Sequence, residues 1–169
     1  QLIAIDVSEE VLKIAKKKCG SLKNVIFAIE SAYKTGYEKE SFDVVYGFYI
    51  LHHLDLPRVS REIYRILKPS GIAFFYEPNI LNPFVYIIKS NKYLKRKIGD
   101  SPDEWAINPL TIKKFFPQFK THISLKEYVL PVSFLGLNLL QRSDKIFSFL
   151  GKIPLLKYLG GSVQIKLIK

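Results

Sequence analysis

Short branched apolar runs alternate with helix-patterned stretches through the first half of this chain, and that alternation leaves few folds open. LIAI (2–5) and VIFAI (25–29) read as buried strands, SFDVVYGF (41–48) contains a third and IAFFYEP (72–78) a fourth. Between the first two, DVSEEVLKIAKKKCG reads as a helix. Ser8 can cap it, and Glu9 and Glu10 suit its positive first turn. Val11, Leu12, Ile14 and Ala15 make one face, Lys16, Lys17 and Lys18 suit the negative end, and Gly20 can stop it. LDLPRVSREIYRILKPSG is the clearest helix: Asp55 caps it, Pro57 is tolerated in the first turn, and Val59, Ile63, Ile66 and Leu67 recur at helical spacing before Lys68, Pro69, Ser70 and Gly71 end it. Strands separated by helices require parallel crossovers, so the expected class is an α/β sheet with helices on both faces.

From Asn79 the pattern changes. Proline, aromatics and lysine crowd residues 79–109, which read as a partly helical elaboration over the strand ends. LTIKKFF is expected to be a short helix, ISLKEYV a strand, SDKIFSFLGKIPLLKYL a helix broken near Gly151 and Pro154, and GSVQIKLI a closing strand.

With 48% hydrophobic residues in 169, the chain is expected to form a single domain with a real core. The net charge of +11 comes from lysines scattered along helices rather than from a basic tail, so a solvated surface is expected and no specific nucleic-acid partner. Cys19 stands alone, which rules out an intrachain disulfide framework or a multi-cysteine metal site and favours a cytoplasmic setting. The longest apolar stretch, residues 129–140, is shorter than the ~20 residues of a spanning helix and is interrupted by Pro131 and Asn138. We expect no transmembrane segment, with peripheral membrane contact left open. The opening residues do not read as a signal peptide. The chain contains no methionine and begins inside an apolar strand-like run, from which we expect an N-terminally truncated domain.

Asp6 ends the first run. In doubly wound folds an acidic residue there accepts hydrogen bonds from ribose hydroxyls, although an aspartate before a helix can equally be a turn residue. The segments IAIDVSEEVLKIAKKK, SFDVVYGFYILHHL and REIYRILKPSGIAFFYEPN, in this order and spacing, resemble the class I S-adenosylmethionine-dependent methyltransferases, in particular their small-molecule subgroup. The resemblance implies a Rossmann-like methyltransferase fold, a mostly parallel sheet with an antiparallel last strand. It also implies that the family's first strand and glycine loop would precede Gln1. That strand would lie between the strand of residues 2–5 and the strand after Asp43, so the chain by itself is expected to be inactive.

Carried over by the resemblance, Asp6 holds the ribose diol of S-adenosylmethionine and Val7 lines the adenine pocket. The family's Gly-Asp-Ala falls on Glu30, Ser31 and Ala32, so Ser31, or Glu30 after a local shift, takes the place of the adenine-facing acid. Gly47 permits close backbone approach to the cofactor, with Phe48 beside it; packing against a helix is the alternative for Gly47. His53 and Glu77 are candidates for substrate contact, each with a structural role as the alternative. His52 and His53 should diverge by about 100° in a helix and point oppositely in a strand, so no shared metal site is expected. Tyr76, Phe84, Tyr86 and Trp105 are expected in the core, with an apolar lid or a cation–π contact to the sulfonium as the alternative. No catalytic residue is named. The expected reaction is methyl transfer to a small or lipid-like acceptor. A nicotinamide-dependent oxidoreductase and a noncatalytic interaction module are the alternatives, and oligomeric state is not legible.

Overall fold

The computed structural model describes residues 1–19, 21–102, 104–126, 153 and 156–169. Strand β1 (Leu2–Asp6) leads through Ser8 into helix α1 (Glu9–Cys19), where the Ser8 hydroxyl accepts the Val11 N–H at 3.3 Å. Strand β2 (Val25–Ile29) returns parallel to β1, pairing Leu2 with Val25 through Asp6 with Ile29. Only Leu12 of the expected α1 face is buried. Val11 and Ile14 are exposed, and the helix packs on β1 and β2.

Strand β3 (Phe42–Phe48) is followed by a 3-10 turn (Leu51–His53) and helix α2 (Leu56–Ile66). Asp55 caps α2 by accepting the Arg58 N–H at 3.0 Å. The helix stops at Ile66, and the chain is already extended at Leu67, which pairs with Phe42 at the start of strand β4 (Leu67–Pro78). Here the structure corrects the sequence reading: the Lys68–Gly71 segment is the irregular opening of a strand, not a helix end. Lys68 precedes proline, which disfavours the helical region. The register then slips so that Val44 faces Ile72. Gly71 is required in this slip, since a Cβ there would lie 2.8 Å from the Lys68 carbonyl oxygen and 3.2 Å from that of Asp43.

The elaboration is helical in two short pieces, α3 (Pro83–Ser90) and α4 (Lys92–Ile98), capped by Asn82 and Asn91. A 3-10 turn (Ile112–Phe115) precedes strand β5 (Lys120–Lys126), and a second (Leu156–Leu159) precedes strand β6 (Ser162–Ile168). The broken helix expected over residues 143–159 lies outside the described residues except for Ile153 and this last turn, and so does the apolar stretch 129–140. Strand β6 runs antiparallel to both β4 and β5, as the resemblance implies.

The strands form two separate groups, β1–β2 and β3–β4–β6–β5. Strand β1 does not pair with β3, so each has one unpaired edge among the described residues. The core lies in the larger group, where Leu51, Val59, Ile63, Leu67, Ala73 and Phe75 pack with Ile112, Phe116, Val163, Ile165 and Leu167. Roughly 25 cal/mol per Å2 of buried apolar surface makes this cluster the main source of stability.

Candidate active site

The carboxyl ends of β1, β3 and β4 carry the residues singled out by sequence. Asp6 closes β1 half-buried, and its Oδ1 accepts the Ser8 N–H at 2.8 Å, a turn that fixes the carboxylate at the strand end. The Asp6 carbonyl accepts the Glu30 N–H at 3.1 Å, which brings the ends of β1 and β2 together. Val7, next to this carboxylate, is 72% exposed; Phe48, at the end of β3, is 58% exposed and packs edge-on to Tyr46.

The Ser31 hydroxyl accepts the Tyr33 N–H at 3.3 Å, and Ala32 packs against the core. Glu30 Oε2 accepts the Gly36 N–H at 3.1 Å, so its carboxylate is tied to its own loop. A Cβ on Gly47 would meet Ile50 Cγ2 at 2.6 Å and Phe75 at 3.1 Å. Packing within the protein is therefore enough to require glycine at that position. Tyr76 lies among Phe48 and Tyr49, with ring centroids 6.2 and 5.9 Å away.

A second set of side chains is buried at the ends of β3 and β4. Glu77 is fully buried. Its Oε1 accepts the N–H groups of Ile50 at 3.0 Å and Leu51 at 2.9 Å, and its Oε2 lies 2.6 Å from His52 Nδ1. The Glu77 carboxylate is turned inward and holds the loop after β3, the structural role that stood as the alternative to substrate contact. His52 Nε2 lies 3.1 Å from Glu104 Oε1, which also accepts from Lys89 Nζ at 2.7 Å. Lys89 pairs in addition with Asp100 Oδ2 at 2.7 Å, a charge contact without hydrogen-bond geometry. Glu104 Oε2 accepts the Ser101 N–H at 3.3 Å and lies 3.9 Å from His53 Nδ1. Burial works to raise the Glu104 carboxyl, but Lys89, the Ser101 N–H and His53 outweigh it and hold it at about 2.

The two histidines do not diverge as the sequence led us to expect. In the 3-10 turn their ring centroids are 4.1 Å apart at 37°. His52 is buried, whereas the His53 side chain is 43% exposed. One further expectation changes. Phe84, Tyr86 and Trp105 lie exposed on the elaboration, Tyr86 edge-on to Trp105 at 6.3 Å, and Lys95 Nζ sits 5.2 Å from the Trp105 ring centre. The buried polar atoms beneath them claim the inward positions. Lys89 and Lys95 are buried lysines, with Lys95 donating to the carbonyls of Pro102 at 2.8 Å and Glu104 at 2.6 Å. Lys89, Asp100 and Glu104 escaped the sequence reading because they carry no motif: their partners come from other elements.

Residues 1–75 match the methyltransferase domain family. Demethylmenaquinone methyltransferase of Lactococcus lactis is 40% identical over 140 residues, 69% of this chain and 56% of that protein. The namesake from Chlorobaculum parvum is 40% identical over 99 residues, 56% of this chain and 40% of the relative. The chain thus spans about half the length of the curated relatives it matches. Among solved structures, an S-adenosylmethionine-dependent methyltransferase from Thermotoga maritima superposes with a TM-score of 0.71 at 16% identity, covering 98% of this chain and 72% of that one. Phosphoethanolamine N-methyltransferase 2 of Haemonchus contortus, bound to S-adenosylhomocysteine, gives 0.63 at 18% identity over 100% of this chain and 43% of its own. Residues 1–75 thus carry a methyltransferase domain, and the chain has the fold of the S-adenosylmethionine-dependent methyltransferases.

Proposed function

We propose that the protein transfers a methyl group from S-adenosylmethionine to a small lipophilic acceptor, in the cytoplasm. The observation that carries this reading is Asp6, a carboxylate fixed at the end of a parallel strand and followed by the exposed Val7, within the segment that matches the methyltransferase domain. When bound, the cofactor supplies an electrophilic methyl on a sulfonium; the acceptor atom gains the methyl and loses a proton, and a thioether departs. The residues of this chain position rather than react. Asp6 takes the ribose hydroxyls, Val7 and Phe48 flank the base, and Ser31 and Ala32 border it. Alignment of reacting atoms at ~3–3.5 Å supplies much of the rate.

The relatives named for demethylmenaquinone support a lipophilic acceptor. Exposed Phe84, Tyr86 and Trp105 on the elaboration offer an apolar face for such a molecule at the strand ends. Among the described residues no helix is long and apolar enough to cross a membrane. The test is transfer of labelled methyl to demethylmenaquinone by the protein as its cell makes it, alongside a variant whose residues 79–109 come from another member of the family. Transfer by the parent and a changed acceptor profile in the exchange, with cofactor affinity kept, is the expected result. An exchange that alters cofactor binding and leaves the acceptor profile alone would contradict it.

A further inference from the structure

The side chains where the 3-10 turn after β3 meets the elaboration have the donor set of a metal centre, and we propose that His52, His53 and Glu104 bind one divalent transition ion of the zinc class. Their ligand atoms lie within 4.8 Å of one another. Bond lengths of ~2.0–2.1 Å in tetrahedral geometry set ligand atoms ~3.3 Å apart. His52 Nε2 and Glu104 Oε1 are 3.1 Å apart, and His53 Nδ1 and Glu104 Oε2 are 3.9 Å apart.

The surroundings favour a cation at this place. Glu77 can only accept, and its Oε1 is already held by the Ile50 and Leu51 N–H groups, so its Oε2 selects the His52 tautomer with the proton on Nδ1. Carboxylate–histidine pairs of this kind orient metal-ligating imidazoles. The lone pair left on Nε2 points at Glu104, where an acceptor faces an acceptor unless a proton or a metal ion lies between. Glu77, Glu104 and Asp100 bring three carboxylates to this place, with the ammonium of Lys89 on Glu104 and Asp100 and that of Lys95 on the Glu104 carbonyl. Lys89 donates to Glu104 Oε1, while Oε2, on the His53 side, accepts the Ser101 N–H at 3.3 Å and has a second lone pair for an ion.

Three protein ligands leave a fourth position open, as in catalytic rather than structural zinc sites. That position adjoins half-exposed His53 at the carboxyl ends of β3 and β4, where an acceptor oxygen would meet the ion. The inference does not rest on methyl transfer, and its test omits the cofactor. Equilibrium dialysis of the purified protein against Zn2+ should give one ion per chain. Replacement by Co2+ should give the visible absorption of a tetrahedral nitrogen–oxygen site. His53→Ala, a change at a half-exposed side chain, should weaken zinc binding at least tenfold, and so should the shape-conserving Glu104→Gln. Failure to retain stoichiometric zinc would overturn the proposal in favour of protons on the two rings. Zinc binding unchanged in both variants, or abolished by His122→Ala and not by His53→Ala, would also overturn it. Each of these results leaves the proposed methyl transfer standing.

Discussion

Glu62 Oε1 accepts two hydrogen bonds from Thr35, one from its backbone N–H at 2.7 Å and one from its hydroxyl at 2.6 Å. Thr35 lies in the loop that follows β2, and Glu62 lies on α2, so this buried pair fastens the β1–α1–β2 unit to the larger strand group. Arg65 completes the contact, with Nε donating to Oε2 at 2.8 Å and its guanidinium reaching the Tyr37 carbonyl at 2.8 Å.

The contact makes stability depend on pH in a defined window. Arg65 chiefly, then Thr35, hold the Glu62 carboxyl at about 2 against the opposing effect of burial. A carboxyl lowered in the folded state stabilises fully above its unfolded value of ~4.5 and stops doing so as pH falls through its folded value. The protein should therefore lose on the order of 3 kcal/mol from this group between about pH 4.5 and 2. Denaturant melts at pH 7, 4 and 2.5 should show that loss in the parent and a flatter profile in Glu62→Gln. Parallel profiles would show that Glu62 is not the titrating group.

Asn79 closes the chain on itself. Its fully buried amide donates to the carbonyls of Tyr158 at 2.8 Å and Gly160 at 2.6 Å, and its oxygen accepts the Leu81 N–H at 3.0 Å. Leaving such partners unsatisfied costs ~1–3 kcal/mol for each group. Asn79→Ala should lower the melting temperature by roughly 5–10 °C, at ~2–4 °C per kcal/mol for a chain of this size. A change below about 2 °C in a thermal scan would mean these bonds are replaced by water.

The unpaired edges of β1 and β3 carry a third prediction. Ile5, Val44, Tyr46 and Phe48 are exposed on these strands, and open edges with apolar side chains recruit further strands. The 169-residue chain expressed by itself should self-associate at micromolar concentration in velocity sedimentation. Lysine at Val44 and Phe48 together should shift it toward the monomer. A parent that sediments as a single monomeric species and melts cooperatively would contradict this.

The alternation of apolar runs with capped helices was enough to place β1, α1, β2, β3, α2 and β6, because each carries its own period and its own stop. The antiparallel last strand came from the resemblance to the family. The opening of β4 was misread because Leu67 continues the helical spacing of Ile63 and Ile66 while Pro69 forces the backbone into extension. At the site, the sequence located Asp6 and Glu77 at strand ends. It could not show that Glu77 turns inward, since that depends on Ile50 and Leu51 offering their N–H groups from the neighbouring strand's loop. Lys89 and Lys95 resemble any other surface lysine until carboxylates and carbonyls from residues 100–104 converge on them.

The central claim is that Asp6 anchors S-adenosylmethionine. Calorimetric titration of the cofactor into the protein as its cell makes it, and into the Asp6→Ala variant, tests it most directly. A charge-assisted hydrogen bond contributes ~1.5–3 kcal/mol, so binding should weaken by roughly ten- to a hundredfold in the variant while its thermal melt stays cooperative. Equal affinities in the two proteins would remove Asp6 from the site and contradict the account.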